Sequence, residues 1–246
     1  MLQHSLSTCL LTCLLWWLVP ADAGEPCREF VIAIDVGHSR NKPGAISARG
    51  VEEFYFNAQL ARVLFETLHA TGFKQVFMIN AKGADMALAD RAKTAGRKQA
   101  ELFISIHHDS VQEFYLRDWS YKGKSHFYSD RFQGYSIFYS EKNPQSRKSL
   151  AFAKRLGQEL LRSGLTPSLH HAEKIPGENR ELVDAEKGIY RFDDLIVLKE
   201  TTMPAVLLEA GIILHRDEEV RLSDSGYQKT LALSVTRAVA AFCENR

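Results

Sequence analysis

Charge of one sign is not in excess here. The 246 residues carry 31 Lys and Arg against 30 Asp and Glu, so neither a nucleic-acid partner nor a strongly basic wall-binding arm is indicated. Long hydrophobic runs are confined to the first two dozen residues, where "CLLTCLLWWLVP" is too short to span a membrane comfortably, since about 20 residues are needed. "ADA" before Gly24 has the small-x-small form of a cleavage site, and no lipobox cysteine follows. No Lys or Arg precedes the run. The expectation is a cleaved signal peptide over 1–23 and one domain over 24–246, with no transmembrane anchor left after cleavage. Cysteine is scarce. Of the four, Cys9 and Cys13 leave with the signal, and Cys27 and Cys243 remain near opposite ends. In an oxidising compartment they are candidates for a terminus-to-terminus disulfide. The alternative is two buried or frayed thiols. There is no internal repeat, no low-complexity tract and no second domain.

What is present is an alternation of strands and helices. Residues 30–36 are apolar and β-branched, as a central strand requires. "EEFYFNAQLARVLFETLHATG" then spaces Phe56, Leu60, Val63, Leu64 and Leu68 as a helix, with Gly72 as its C-cap. "KQVFMIN" is a strand, "ADMALADRAKTAGRKQA" a helix and "ELFISIHHD" a third strand. This β-α-β-α-β order predicts a single α/β domain, a largely parallel twisted sheet with helices on both faces. Further on, "GYSIFYS" reads as a strand and "NPQSRKSLAFAKRLGQELLRSG" as a helix capped by Ser146. "DLIVLKE" and "PAVLLEAG" read as strands, and "SDSGYQKTLALSVTRAVAAFC" as a closing helix. Residues 112–134 read as a surface excursion, and 165–190 as a long, partly mobile segment.

Three strands end in chemically useful groups: His38 after "AIDVG", His107 after "LFISI", and Glu209 within "AVLLEAG". Ligands of open α/β sheets bind outside the carboxyl ends of the strands, so parallel strands would bring all three to one edge. Glu53, opening the first helix, lies just across the loop from His38. Two histidines and a carboxylate suit a catalytic zinc with one position left for water. Each member also has a plainer reading: a hydrogen-bonded loop histidine, or a first-turn acid favoured by the helix dipole. Glu209 is the hardest to explain away, because a carboxylate flanked by apolar residues is costly without a partner. His108 would point away from His107 on a strand. His170 and His171 read as a plain surface pair, with adventitious metal binding as the alternative.

The stretch "DVGHSRNKPGAISARGVEE" resembles the opening motif of zinc-dependent N-acetylmuramoyl-L-alanine amidases of the periplasmic cell-division type, which read D-x-G-H, P-G-A and G-x-x-E. "ADRAKTAGRKQAELFISIHHD" and "LIVLKETTMPAVLLEAG" are similar to two later blocks of that family, in the same order. The resemblance implies Zn2+ held by His38, Glu53 (rather than its neighbour Glu52) and His107, with Glu209 as general base. It implies cleavage of the amide between the muramic acid lactyl group and L-alanine in peptidoglycan or muropeptides, in the periplasm. Asn179, Arg180 and His215 are candidates for binding substrate. Two departures stand out: Ser39-Arg40 replaces a glycine pair and should stiffen the loop, and "GIILHRDEE" follows Glu209 where the family shows Gly-Phe-Ile-x-Asn. Some members carry an inserted helix that plugs the zinc site until a protein activator withdraws it. Residues 165–190, with Glu173, Glu178, Glu181 and Glu186, could gate the site in that way or form a substrate-binding loop. Two other readings stay open: a related zinc exopeptidase or metallohydrolase, and a non-catalytic muropeptide-binding protein on the same scaffold.

Overall fold

Five consecutive residues without an exposed side chain, Ile32–Val36, make β1 a strand covered on both faces, as in parallel sheets packed between helices. The computed structural model describes residues 27–245. The expected signal peptide at 1–23 lies outside them. After β1 come α1 (Glu53–Ala70), β2 (Val76–Ile79), α2 (Leu88–Arg97) and β3 (Leu102–Asp109). A hairpin of β4 (Arg117–Tyr121) and β5 (Lys124–Tyr128) precedes β6 (Ser136–Tyr139) and α3 (Ser146–Arg162). The chain closes with β7 (Glu181–Asp184), β8 (Ile189–Arg191), α4 (Ile196–Lys199), β9 (Ala205–Ile212), α5 (Arg216–Ser223) and α6 (Ser225–Cys243).

Seven strands form one mixed sheet in the order β2-β1-β3-β9-β6-β8-β7. β2, β1, β3 and β9 run parallel, β6 and β8 are parallel to each other, and β6 is antiparallel to β9. Alternation along the strands divides the core in two. Ile32, Ile34, Leu102, Ile104, Val206 and Leu208 meet Leu60 and Leu64 of α1, Leu156 of α3 and Val235 of α6. Ala33, Phe103, Ala205 and Leu207 meet Ala95 of α2 and Leu198 of α4 on the other face. Helices thus cover both faces, as the alternation of elements predicts.

Four details differ from the sequence reading. "DLIVLKE" is not a strand: Ile196–Lys199 is one turn of helix that buries Val197 and Leu198. Residues 112–134 hold the β4–β5 hairpin, whose turn residues Lys122 and Gly123 both have positive φ. Residues 165–190 contain β7, most of which pairs antiparallel with β8 at the sheet edge. Ser146 does not cap α3; the preceding Gln145 is the N-cap, without a side-chain bond. Cys27 and Cys243 are joined by a disulfide, with Cα atoms 5.8 Å apart.

Candidate metal centre

β1 ends at Val36, and Gly37 continues the ladder by donating its N–H to the Ile106 carbonyl. His38 then turns sharply, with φ +67°, a region that costs a non-glycine residue energy unless its surroundings impose it. They do. Its carbonyl accepts bonds from the Arg91 guanidinium on α2 and from Asn80 Nδ2 at 2.8 Å. Arg91, 3 % exposed, also pairs with Asp35 at 2.9 Å, and Asp35 in turn accepts from Ser105 Oγ on β3 at 2.8 Å. A buried polar chain therefore fixes the backbone that presents the His38 ring.

Glu53 is the first residue of α1, where the helix dipole favours a carboxylate. It is 4 % exposed, whereas Glu52 stays outside the cluster as the N-cap. Glu53 Oε2 lies 3.0 Å from His38 Nε2 and accepts the Ala45 N–H. Its Oε1 lies 3.1 Å from His107 Nδ1 and accepts from Asn57 Nδ2 at 3.0 Å. Asn57, one helical turn on, passes the order outward: its Oδ1 is 2.8 Å from His108 Nδ1. Burial pushes the His108 imidazole down to about 3, so it stays neutral. His108 does face away from His107, as expected, yet it orients Glu53 through Asn57. Burial acts to raise the Glu53 pKa, but hydrogen bonds from His107 and His38, reinforced by their charges, hold the carboxyl well below the usual range.

Donor atoms of His38, Glu53 and His107 all lie within 4.8 Å of one another. Two glycines make room. A Cβ on Gly44 (φ +82°) would overlap Glu53 Oε2 and the His38 ring, and one on Gly37 would overlap the His107 ring. Imidazole and carboxylate donors in this number fit a divalent ion of the zinc class.

Glu209 stands on β9 directly beside His107 in the register. Its Oε2 is sheltered and has no hydrogen-bond partner among the described residues. Burial, then the Asp109 and Glu53 carboxylates, pushes its pKa well above the ordinary value. It faces a cavity of about 140 Å3 shared with Phe138, His171, Glu178 and Arg180. A larger cavity, about 640 Å3, opens beside His38 and His107 between Met86, Leu88, Leu195 and Ile196. Together these supply three donor groups close enough to share a metal ion, a carboxyl oxygen without a hydrogen-bond partner among the described residues, and an apolar-walled cleft.

The three expected substrate groups separate. Arg180 lines the Glu209 cavity, its guanidinium 3.9 Å from the Phe192 ring centroid. Asn179 is exposed at φ +67° in the adjoining loop. His215 is elsewhere: its Nδ1 accepts the backbone N–H groups of Asp217 and Glu218 and caps α5. Ser39 and Arg40 stiffen their loop by bonding across to Asp85 Oδ1 and the Lys82 carbonyl. The carboxylates of 165–190 are engaged away from the cluster: Glu178 with His171 and Gln112, Glu173 with Tyr115, Glu181 with Arg191, Glu186 with Lys187.

Some working parts lay unassigned in the sequence. Arg91 and Asp35 sit inside the quoted motifs without a role. Asn57 was signalled only by its four-residue spacing from Glu53. His170 and His171 are no surface pair: His170 is 2 % exposed, and both Nε2 atoms turn toward Asp109. There, burial acts to lower the His171 pKa, but Asp109 and Glu178 override it and raise it to about 9.

Residues 32–241 match the N-acetylmuramoyl-L-alanine amidase family. The chain is 24% identical over 228 residues to the N-acetylmuramoyl-L-alanine amidase AmiC of Neisseria meningitidis serogroup B, an alignment covering 89% of this chain and 54% of AmiC. It therefore spans about half of that relative. The catalytic domain of CwlV, an N-acetylmuramoyl-L-alanine amidase from Bacillus (Paenibacillus) polymyxa var. colistinus, superposes with a TM-score of 0.66 at 25% identity, over 88% of this chain and 99% of that one. The amidase Ami1 of Mycobacterium smegmatis shares the fold, with a TM-score of 0.70 at 18% identity over 89% and 99% of the two chains.

Proposed function

The chain belongs to the N-acetylmuramoyl-L-alanine amidase family, which makes it a peptidoglycan amidase, and we propose that it is a zinc enzyme using Glu209 as its proton carrier. The observation that carries this reading is the meeting of His38, Glu53 and His107 around one point, with the unpartnered Glu209 carboxyl in register on the neighbouring strand. His38, Glu53 and His107 would hold Zn2+. Such an ion supplies Lewis acidity that makes water nucleophilic near neutral pH and eases the charge that builds on a carbonyl oxygen.

The rest is done by the chain. The apolar cleft beside His38 and His107 receives the substrate and excludes water. Glu209 removes a proton from the attacking water as its oxygen bonds to the lactyl carbonyl carbon. It then delivers that proton to the L-alanine nitrogen as the C–N bond breaks. Arg180, which lines the Glu209 cavity, would bind a stem-peptide carboxylate. An exported, periplasmic enzyme of the cell-division type accords with the expected signal peptide and with the likeness to AmiC. No helix among the described residues is long and apolar enough to cross a membrane.

The test pairs metal content with activity. Protein with its natural metal and the Glu209→Gln variant are assayed for zinc and for release of stem peptides from peptidoglycan. Both should retain the zinc held by His38, Glu53 and His107, while kcat falls about 10^3-fold in the variant, within the range for loss of a general base. A His38→Ala protein that still binds zinc as tightly at this centre and still cleaves would refute the ligand assignment.

A further inference from the structure

Successive side chains of a 3-10 turn, such as that formed by His170–Ala172, point about 120° apart around its axis. The rings of His170 and His171 nevertheless converge: their centroids are 3.9 Å apart, and both Nε2 atoms approach one oxygen, Asp109 Oδ2, at 3.3 and 2.7 Å. Their Nδ1 atoms are held from behind by different partners. Ser168 Oγ lies 2.8 Å from that of His170, and Glu178 Oε2 lies 2.7 Å from that of His171. We propose that Asp109, His170 and His171 form a second divalent-cation site of the zinc class, separate from the cluster of His38, Glu53 and His107.

The pattern is that of ligating histidines, in which an outer acceptor or hydroxyl fixes one ring nitrogen so that the other presents its lone pair. A purely structural ion pair leaves this geometry incomplete. One proton can join Asp109 Oδ2 to His171 Nε2, but His170 Nε2 is then buried beside the same oxygen without a hydrogen-bond partner. A cation accepts lone pairs from all three groups at once, and their donor atoms lie within 4.8 Å of one another. Two imidazoles with one carboxylate suit Zn2+ and its neighbours rather than Mg2+ or Ca2+, which take oxygen ligands.

Asp109 follows His107 by two residues, so their Cα atoms are separated by roughly 7 Å of strand. The two donor sets share no residue. The second ion would serve the architecture. It would tie the 165–190 segment to the end of β3, and that segment contributes His171, Glu178 and Arg180 to the wall of the Glu209 cavity.

The full chain is stripped of metal with a chelator and titrated with Zn2+ alone. Two ions per chain are expected, falling to one in His38→Ala and to one in the His170→Ala/His171→Ala protein. Ser168→Ala should weaken the second site by about 10- to 100-fold, as loss of an outer partner does elsewhere. One ion per chain that vanishes with His38→Ala overturns the proposal, and so does a His170→Ala/His171→Ala protein that still takes up two. Should that variant misfold, 15N signals of the wild-type imidazoles decide: saturating zinc must move Nε2 of His170 and His171, and unmoved signals overturn the site.

Discussion

The carbonyl of His38 shows how much of the centre is built from single buried contacts. Arg91 holds that carbonyl and neutralises Asp35, both side chains being almost fully enclosed. Arg91→Met should therefore cost about 3–5 kcal/mol by leaving Asp35 buried without its partner. It should also release His38 from its positive φ. Urea melts would measure the first effect and zinc competition the second; a variant with unchanged midpoint and affinity would refute this account. The double variant Asp35→Leu/Arg91→Met should recover much of the stability but not the zinc affinity, because the carbonyl is then held by Asn80 alone. Gly44 makes the complementary case by absence. Gly44→Ala would push a methyl group into Glu53 Oε2 and the His38 ring at a backbone angle alanine disfavours. Zinc affinity should fall by about 10- to 100-fold, as for other losses of ligand support, and equilibrium dialysis would show it. At this scale the sequence is readable where chemistry conflicts with pattern: Glu209 stands out because it interrupts an apolar strand. Arg91, Asn57 and Asp109 do not stand out, because their work exists only once distant segments meet.

Among elements, periodicity tells most where one face is wet. α1 and α3 bury an apolar stripe, Phe56, Leu60, Leu64 and Leu68 in one and Phe152, Leu156 and Leu160 in the other, so their helical spacing is plain in the chain. "LIVLK" has no such contrast, and a short apolar run does not distinguish a strand from a buried turn of helix. It became α4 because Val197 and Leu198 fill the face opposite α1. The β4–β5 hairpin escaped for another reason: its Lys122-Gly123 turn adopts positive φ at both positions without the Asn-Gly or Asp-Gly that announces such turns. α4 and its connection to β9 bear on the cleft, since Leu195 and Ile196 at the start of α4 help wall it. Asn143 reaches more of that connection's carbonyls than any other side chain does, with Thr201 Oγ1 donating to one of them at 2.9 Å. Asn143 Nδ2 reaches the carbonyls of Leu198, Thr201 and Met203 at 2.7–3.1 Å. Asn143→Ala should leave the Thr201 and Met203 carbonyls without this donor, lowering stability by about 2 kcal/mol. Hydrogen exchange around 195–204 should accelerate more than exchange in β1; uniform acceleration across the sheet would show that Asn143 does not secure this connection locally.

At the scale of the molecule, the two edges of the sheet have separate duties. The carboxyl ends of β1, β3 and β9, with the start of α1, carry the proposed metal cluster and Glu209. The opposite edge carries the Cys27–Cys243 disulfide, which joins the turn before β1 to the last residue of α6 across 216 residues of sequence. α6 packs against both α1 and α3, and near the bridge Phe242 meets Phe30 and Phe152 edge-on. Closing so long a loop removes unfolded-state entropy worth about 5 kcal/mol in the chain-entropy model. A bridge of that kind accords with the exported setting proposed above, because only an oxidising compartment preserves it. Reduction, or the Cys27→Ser/Cys243→Ser pair, should lower Tm by roughly 10 °C for a domain of this size. Zinc content and kcat at 25 °C should stay as they were, because the bridge lies at the far ends of the strands from the site. Scanning calorimetry with and without reductant reads the first quantity, and metal analysis with a stem-peptide release assay reads the others. If reduction removed zinc before it lowered Tm, the two edges would be coupled, and this division of the molecule into a stabilising edge and a working edge would be wrong.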